Sequence, residues 1–206
     1  MFRPFFLIVL LTALLSIIGC NDKSTEPTEE NTNYLLPLTV GNTWNYKLYS
    51  SSSDFTGQIT WTITQKITLS AKEYYLITMT GSFGTNYYVV KNEDDGLFLS
   101  RFDSTKGLTS PFFFKYKAQD EETYQYQIPN TDSTLFITVK KQKLSIGNEV
   151  YNCYGYINKN FNPYFPFMYF AKNVGLVRHK LVYSYGQGID TSQYFVYDLQ
   201  NKVLNE

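Results

Sequence analysis

The chain has 206 residues, and its 18 basic and 18 acidic side chains give a formal net charge of zero. A neutral chain lacks the basic surface with which proteins bind nucleic acid. With one histidine and two cysteines, it also lacks the usual ligands of a zinc site and the partners of a Ser–His or Cys–His catalytic pair. We therefore predict a protein that is not an enzyme, with no catalytic residue, no metal and no cofactor.

The first nineteen residues have the layout of a secretory signal peptide. Arg3 precedes an apolar run from Phe5 to Ile18. At about fourteen residues, this run is shorter than the roughly twenty that cross a bilayer as a helix. It ends in Ile17-Ile18-Gly19-Cys20, which resembles the lipobox of bacterial lipoproteins.

That resemblance implies cleavage after Gly19 and a diacylglyceryl group on the thiol of Cys20. Acylation of the new amino terminus, by palmitate for example, would add a further chain, and two or three chains anchor a protein firmly. The alternatives are an ordinary signal peptide or an uncleaved anchor. Residues 21–33, NDKSTEPTEENTN, hold no large apolar side chain and predict a flexible tether.

The domain organisation follows from these segments. We predict a signal peptide over residues 1–19, a lipidated cysteine and tether over 20–33, and one β-rich domain over 34–206. Asn21 stands where some sorting systems read an aspartate that retains lipoproteins in the inner membrane. We therefore expect a cell-envelope protein, anchored in the outer membrane and facing the periplasm or the cell surface, and both sides of the membrane stay open.

The rest of the chain has the composition of a β protein. Its 19 tyrosines and 16 phenylalanines favour half-buried, pleated surfaces. Residues 58–70 alternate between apolar and polar side chains, which predicts a one-sided antiparallel strand. In this strand we expect one face to carry the apolar residues Ile59, Trp61, Ile63, Ile67 and Leu69.

Ten to twelve strands are predicted along the domain, joined by short polar turns, with no helix of ten residues. This spacing indicates an all-β fold, a single curved antiparallel sheet or barrel-like meander with up-and-down neighbours. A loop is predicted over residues 103–111. The predicted strands are 43–52, 58–70, 74–80, 87–91, 97–102, 112–117, 123–128, 134–145, 150–158, one or two within 159–186, and 191–203.

Two short motifs resemble segments of a family of bacterial lipoproteins and periplasmic proteins. PLTVGNTWNY (37–46) resembles the PL-x-x-G-N-x-W-x-Y entry of that family, and YFAKNVGLV (169–177) resembles its Y-F-A-x-x-V-G-L-V segment. The resemblance implies a half-barrel or lipocalin-like β domain and carries no functional residues with it. The residues themselves predict a turn with positive φ at Gly41, core positions around Gly175, and a strand face shared by Trp44 and Tyr46.

The remaining cysteine and the single histidine are predicted to be structural. With Cys20 lipidated, Cys153 has no partner for an intramolecular disulfide, and its alternating surroundings predict a half-buried thiol. His179 follows Arg178 in a predicted strand, and we expect it on the surface.

Two aromatic segments are the candidate ligand-binding sites, because each carries more large apolar groups than one strand face can hide. They would contact an apolar ligand at an open sheet or barrel mouth, unless they close the barrel or cover a sheet edge instead. Their candidate residues are Phe112, Phe113, Phe114, Tyr116, Phe161, Tyr164, Phe165, Phe167 and Tyr169.

Three functions remain open from sequence. The first is a lipid-anchored envelope protein whose β domain binds an apolar or amphiphilic ligand or envelope component. The second is a structural subunit of an envelope assembly, with the aromatic residues at a protein interface. The third, with least support, is a carbohydrate-active enzyme. The expected partners are the membrane, through the N-terminal lipid, and a lipid or an envelope protein.

Overall fold

The computed structural model describes residues 34–129, 131–160, 167–185 and 188–205, with the backbone alone for 182–185 and 188–193. The predicted signal peptide, the lipidation site at Cys20 and the tether lie outside these residues and stay predictions.

Twelve antiparallel strands and no helix make up the described chain. No helix in the described ranges is long and apolar enough to cross a membrane. The strands are β1 (Thr43–Ser50), β2 (Thr56–Leu69), β3 (Lys72–Gly81), β4 (Gly84–Glu93), β5 (Gly96–Asp103), β6 (Gly107–Lys115), β7 (Thr123–Gln127), β8 (Thr134–Ile146), β9 (Glu149–Asn158), β10 (Met168–Ala171), β11 (Gly175–Tyr185) and β12 (Gly188–Val203).

All twelve strands belong to one sheet that curls into a nearly closed barrel. Each strand pairs with its neighbours in sequence, except that β1 pairs with β12 and that β6 and β7 form the two edges. The predicted all-β, up-and-down meander is therefore confirmed. Its physical basis is the short polar turns, which return each strand beside the one before it.

The meander defines two ends of the barrel. The chain enters at Tyr34, and β1 runs away from this entry end toward the opposite one, the distal end. Because each connection reverses the chain, the β1–β2 and β3–β4 turns lie at the distal end. The β2–β3 and β8–β9 turns lie at the entry end.

The strand pattern departs from the sequence prediction in two places. A bulge between Ile63 and Gln65 shifts the β2–β3 register, so Ile67 and Leu69 lie on the opposite face from Ile63, and the predicted shared face is wrong beyond the bulge. The predicted loop 103–111 is also too long, because β6 begins at Gly107. Pro111 is tolerated there because β6 is an edge strand.

Large side chains cluster in the barrel interior. The cluster includes residues from most strands and from the entry segment, and its members are 0–6% exposed. These side chains occupy the inward positions, which alternate with outward ones along each strand. The largest fully buried members are Trp44, Tyr46, Tyr156, Phe114, Phe170, Leu35 and Leu36.

The two motifs of the family resemblance contact each other at the entry end. The indole N–H of Trp44 donates to the carbonyl of Val174 at 2.6 Å, and the hydroxyl of Tyr46 donates to the carbonyl of Leu176 at 3.0 Å. Gly175 lies between these acceptors with φ +102. The motifs are thus a framework that joins β1 to β11 across the interior, as their core assignment predicts.

Asn42 joins the N-terminal segment of the domain to its C-terminal segment. Its side-chain amide donates to the carbonyl of Pro37 at 2.9 Å, and its side-chain oxygen accepts the amide N–H of Asn205 at 2.7 Å. The residue is fully buried, so these bonds replace water that its amide would otherwise hold.

The edges β6 and β7 overlap instead of sharing a hydrogen-bond ladder. Tyr124 belongs to the inward face of β7, whereas Phe113 belongs to the outward face of β6. The Tyr124 hydroxyl nevertheless donates to the carbonyl of Phe113 at 2.6 Å and accepts the amide N–H of Lys115 at 3.3 Å. Tyr126 stacks on Phe113 with a centroid distance of 6.0 Å. A tyrosine hydroxyl therefore satisfies the edge groups of β6 that a neighbouring strand would otherwise bind.

We expect Tyr124→Phe to open this seam. The change removes both hydrogen bonds while keeping the ring, so the Lys115 amide should exchange with solvent at least tenfold faster, and stability should fall by about 1 kcal/mol. Hydrogen exchange followed by NMR measures the effect. Tyr126→Phe is the matched control, because its hydroxyl takes no part in these bonds. An unchanged Lys115 exchange rate in Tyr124→Phe would show that the two hydrogen bonds of the Tyr124 hydroxyl do not hold the seam closed.

Candidate functional site

The candidate aromatic residues do not gather in one pocket. Phe112, Phe114 and Phe167 pack together in the interior, with centroid distances of 4.6 Å between the first two and 5.1 Å between Phe112 and Phe167. Phe114 is fully buried. These three rings are part of the core cluster or packed against it. Phe161, Tyr164 and Phe165 lie outside the described residues.

The other three candidates lie in three separate places. Phe113 belongs to the seam, and Tyr116 contacts Tyr154 at 5.5 Å. Tyr169 belongs to a small second cluster on the outer face of the sheet, together with Cys153. A ligand-binding role for the nine residues stays a prediction.

Three phenylalanines form an exposed aromatic cluster at the distal end. Phe55 lies in the β1–β2 connection, Phe83 in the β3–β4 turn, and Phe195 on β12. Their ring centroids are 5.7–5.9 Å apart. Phe83 is 58% exposed and Phe55 37% exposed. Clustered, exposed aromatic rings mark binding sites more often than isolated ones do. We call this cluster the phenylalanine rim.

Four inward-facing side chains with polar tips lie closer to the entry end than the phenylalanine rim does. They are Trp61, Tyr88, His179 and Tyr197, and we call them the polar floor. Trp61 stacks on Tyr88 at 5.6 Å, and His179 meets Tyr197 edge-on at 5.3 Å. Tyr88 also lies close enough to Tyr197 to raise the pKa of that phenol electrostatically, although burial is the larger cause. Trp61 is 2% exposed.

Sequence reasoning missed the polar floor. The prediction that His179 lies on the surface is wrong: it pairs with Tyr197, a core residue, and its Nδ1 atom is shielded from solvent. Burial lowers the pKa of His179 to about 4. The alternation of inward and outward residues along β11 does not predict this orientation from Leu176 and Val177. The reason is that the β10–β11 register shifts between Tyr169 and Phe170, which changes the order of inward and outward positions in β11.

Cys153 is more deeply buried than the half-buried thiol that the sequence predicts. It is a free cysteine, 3% exposed, and burial raises the pKa of its thiol to about 12. At neutral pH the thiol is protonated and therefore a poor nucleophile. In the described ranges, no group of three or more His, Cys, Asp or Glu side chains lies close enough to hold a metal ion.

The outer surface has open grooves, and in one of them several polar side chains bond to each other. One groove crosses β1, β2 and β12. Within it, Asn45 donates to the side chain of Asn201 at 2.7 Å and accepts from Thr60 at 2.8 Å. Because Asn45, Asn201 and Thr60 are already bonded to one another, this groove offers a ligand fewer free polar groups.

Comparisons with known proteins give two distant likenesses in structure. No protein-family model matches the chain, and no curated protein matches it. A candidate exported protein with a YmcC-like fold from Bacteroides fragilis aligns with a TM-score of 0.49 and 12% identity, covering 84% of this chain and 100% of its own. A candidate lipoprotein from Parabacteroides distasonis aligns with a TM-score of 0.43 and 13% identity, covering 83% and 99%. At this similarity, neither structure assigns a family or a function.

Proposed function

We propose that this protein is a lipid-anchored component of the cell envelope whose β-barrel binds an apolar or amphiphilic ligand at its distal end. The proposal includes no catalytic step. The observation that carries it is the phenylalanine rim, which exposes aromatic surface to solvent at the distal end of the barrel. In the interior, Nε1 of Trp61 and Nδ1 of His179 have no hydrogen-bond partner among the described residues.

The N-terminal sequence supports the anchor. Ile17-Ile18-Gly19-Cys20 follows an apolar run of signal-peptide length, and a polar segment separates it from the folded domain. Residues 21–33 would span at most about 45 Å when extended, and a flexible chain of this length averages about 20 Å. A folded domain on such a tether would stay near the outer membrane, which is the localisation we propose.

The position of the rim supports the ligand site. The tether joins the domain at the entry end, where Leu35 and Leu36 are buried in the core. The phenylalanine rim lies at the opposite end. A ligand could therefore approach the rim without passing the point of attachment.

Anchoring is tested by replacing Cys20. In a bacterium that matures lipoproteins, the wild-type protein should incorporate labelled palmitate and sediment with membranes. Cys20→Ser should do neither. Cys153→Ser is the control, and it should be labelled like the wild type because Cys153 is a buried thiol of the domain. Recovery of Cys20→Ser as a processed protein in the membrane fraction would contradict the anchor.

Ligand binding is tested with the neutral fluorophore N-phenyl-1-naphthylamine, which brightens in apolar sites. We expect the wild-type protein to bind it, and Phe83→Ser to weaken binding about tenfold, the equivalent of about 1.4 kcal/mol of lost apolar contact. Val150→Ser is the matched control, because Val150 is 63% exposed beside the entry-end turn. The site is wrong if the wild type does not brighten the probe, or if both variants weaken binding equally.

A further inference from the structure

Two buried polar atoms of the polar floor have no hydrogen-bond partner among the described residues. They are the indole Nε1 of Trp61 and the Nδ1 of His179. The other tryptophan differs, since Nε1 of Trp44 donates to Val174. Buried polar groups in native proteins nearly always have a partner, from the protein, water or a ligand. The two free atoms therefore point to a polar group that enters from outside the protein.

The polar floor carries no formal charge at neutral pH. Burial lowers the pKa of His179 to about 4, so its imidazole is neutral. Burial raises the pKa of Tyr88, and that of Tyr197 to about 12, so both phenols are protonated. Trp61 does not ionise. A carboxylate or an ammonium group placed here would lose its hydration and find no counterion.

An uncharged hydroxyl or carbonyl group suits the same atoms. Either oxygen accepts a hydrogen bond from the N–H of Trp61, and a hydroxyl can also donate to an imidazole nitrogen such as that of His179. The charged group that acts on Tyr88 is Arg101. Arg101 is exposed toward the distal end, and its guanidinium donates to the side chain of Asn86 at 3.0 Å.

The arrangement of apolar and polar groups sets the orientation of a ligand. The phenylalanine rim is the more exposed of the two. The polar floor lies closer to the entry end, with Trp61 and Tyr197 buried and Tyr88 and His179 half-buried. On β12, Phe195 of the rim is two residues before Tyr197 of the floor, and on β11 the partly exposed Leu181 is two residues after His179. A ligand that reaches the floor therefore passes the aromatic rings.

We infer that the distal end binds a neutral amphiphile, polar end first, with one hydroxyl or carbonyl group on the polar floor and its apolar body against the phenylalanine rim. This inference rests on the proposed ligand site. It adds the class of ligand, an uncharged apolar molecule with a terminal oxygen, and its orientation.

The two tryptophans provide the test, with 2-naphthol, 2-naphthoate and naphthalene as probes on the same ring system. In NMR spectra of the full protein labelled with ¹⁵N-tryptophan, 2-naphthol should shift the indole signal of Trp61 and leave that of Trp44, which is already bonded. Affinity should be at least tenfold higher for 2-naphthol than for 2-naphthoate. Trp61→Phe should assign the signal, and should weaken 2-naphthol binding about tenfold more than it weakens naphthalene binding.

Each other outcome has a distinct meaning. A first alternative is that 2-naphthoate binds as tightly as 2-naphthol, and that Arg101→Met lowers its affinity to that of naphthalene. In that case the ligand binds with its head group at the surface. The inference then fails, and the proposed ligand site stands. If none of the three probes binds, the proposed site fails as well. If Trp61→Phe does not fold, the wild-type indole shifts and the preference for 2-naphthol decide the question.

Discussion

Replacing Gly175 with alanine should cost about 4 kcal/mol of unfolding free energy. Gly175 has φ +102, a conformation that costs a residue with a side chain about 1–3 kcal/mol. An added Cβ would stand 2.6 Å from Leu36 and 3.0 Å from Nε1 of Trp44. It would therefore also displace the indole that donates to Val174. Urea denaturation of the wild type and the variant measures the loss.

Gly147→Ala is the matched control for Gly175→Ala. Gly147 also has a positive φ, +58, but a Cβ built on it meets no atom within 4 Å. The control isolates the backbone cost, which should be about 1 kcal/mol. If the two variants lose the same stability, the contacts of Leu36 and Trp44 around Gly175 do not constrain the fold.

Replacing Asp198 with alanine should cost about 3 kcal/mol. The Asp198 carboxylate accepts two hydrogen bonds from the guanidinium of Arg178, and a third from the hydroxyl of Tyr49 at 2.7 Å. The side chains of Arg178 and Asp198 are only 18% and 11% exposed. Removing the carboxylate leaves a poorly hydrated guanidinium without its partner. This destabilises the fold more than replacing both charged residues with apolar ones would.

Two comparisons separate this effect from the loss of any surface charge. Glu93→Ala removes the partner of Lys91 from a pair whose side chains are 36–43% exposed, and it should change stability by less than about 0.5 kcal/mol. The double variant Arg178→Met/Asp198→Leu should recover more than half of the loss, because no buried charge remains. A double variant as unstable as Asp198→Ala would show that packing, and not the unpaired charge, causes the loss.

Local sequence pattern was sufficient to predict the strands and the meander. Alternation places Ile59, Trp61 and Ile63 on one face, and all three are buried. The pattern could not predict that Ile67 leaves this face, because a bulge depends on how β3 pairs with β2. The predicted loop over 103–111 is wrong for a related reason: β6 holds Pro111, and proline is allowed there because the strand lies at the sheet edge.

The candidate site was much less predictable than the fold. Runs of phenylalanine drew attention to residues 112–114, where two rings fill the core and one seals the seam. Trp61 and His179 come from strands far apart in the chain, and the local sequence around neither residue predicts that the two belong to one site. Their free polar atoms become visible only when every neighbour in the barrel is known.

The pairing of β1 with β12 sets the order of folding. Every other ladder joins strands that are consecutive in the chain and can form from a hairpin. The β1–β12 ladder joins opposite ends of the domain, so it must wait for the closure of a very long loop. Until β12 pairs with it, β1 has one open edge, with which a strand of another chain can pair. The protein is therefore most prone to aggregation after β1 has been synthesised and before β12 has paired with it.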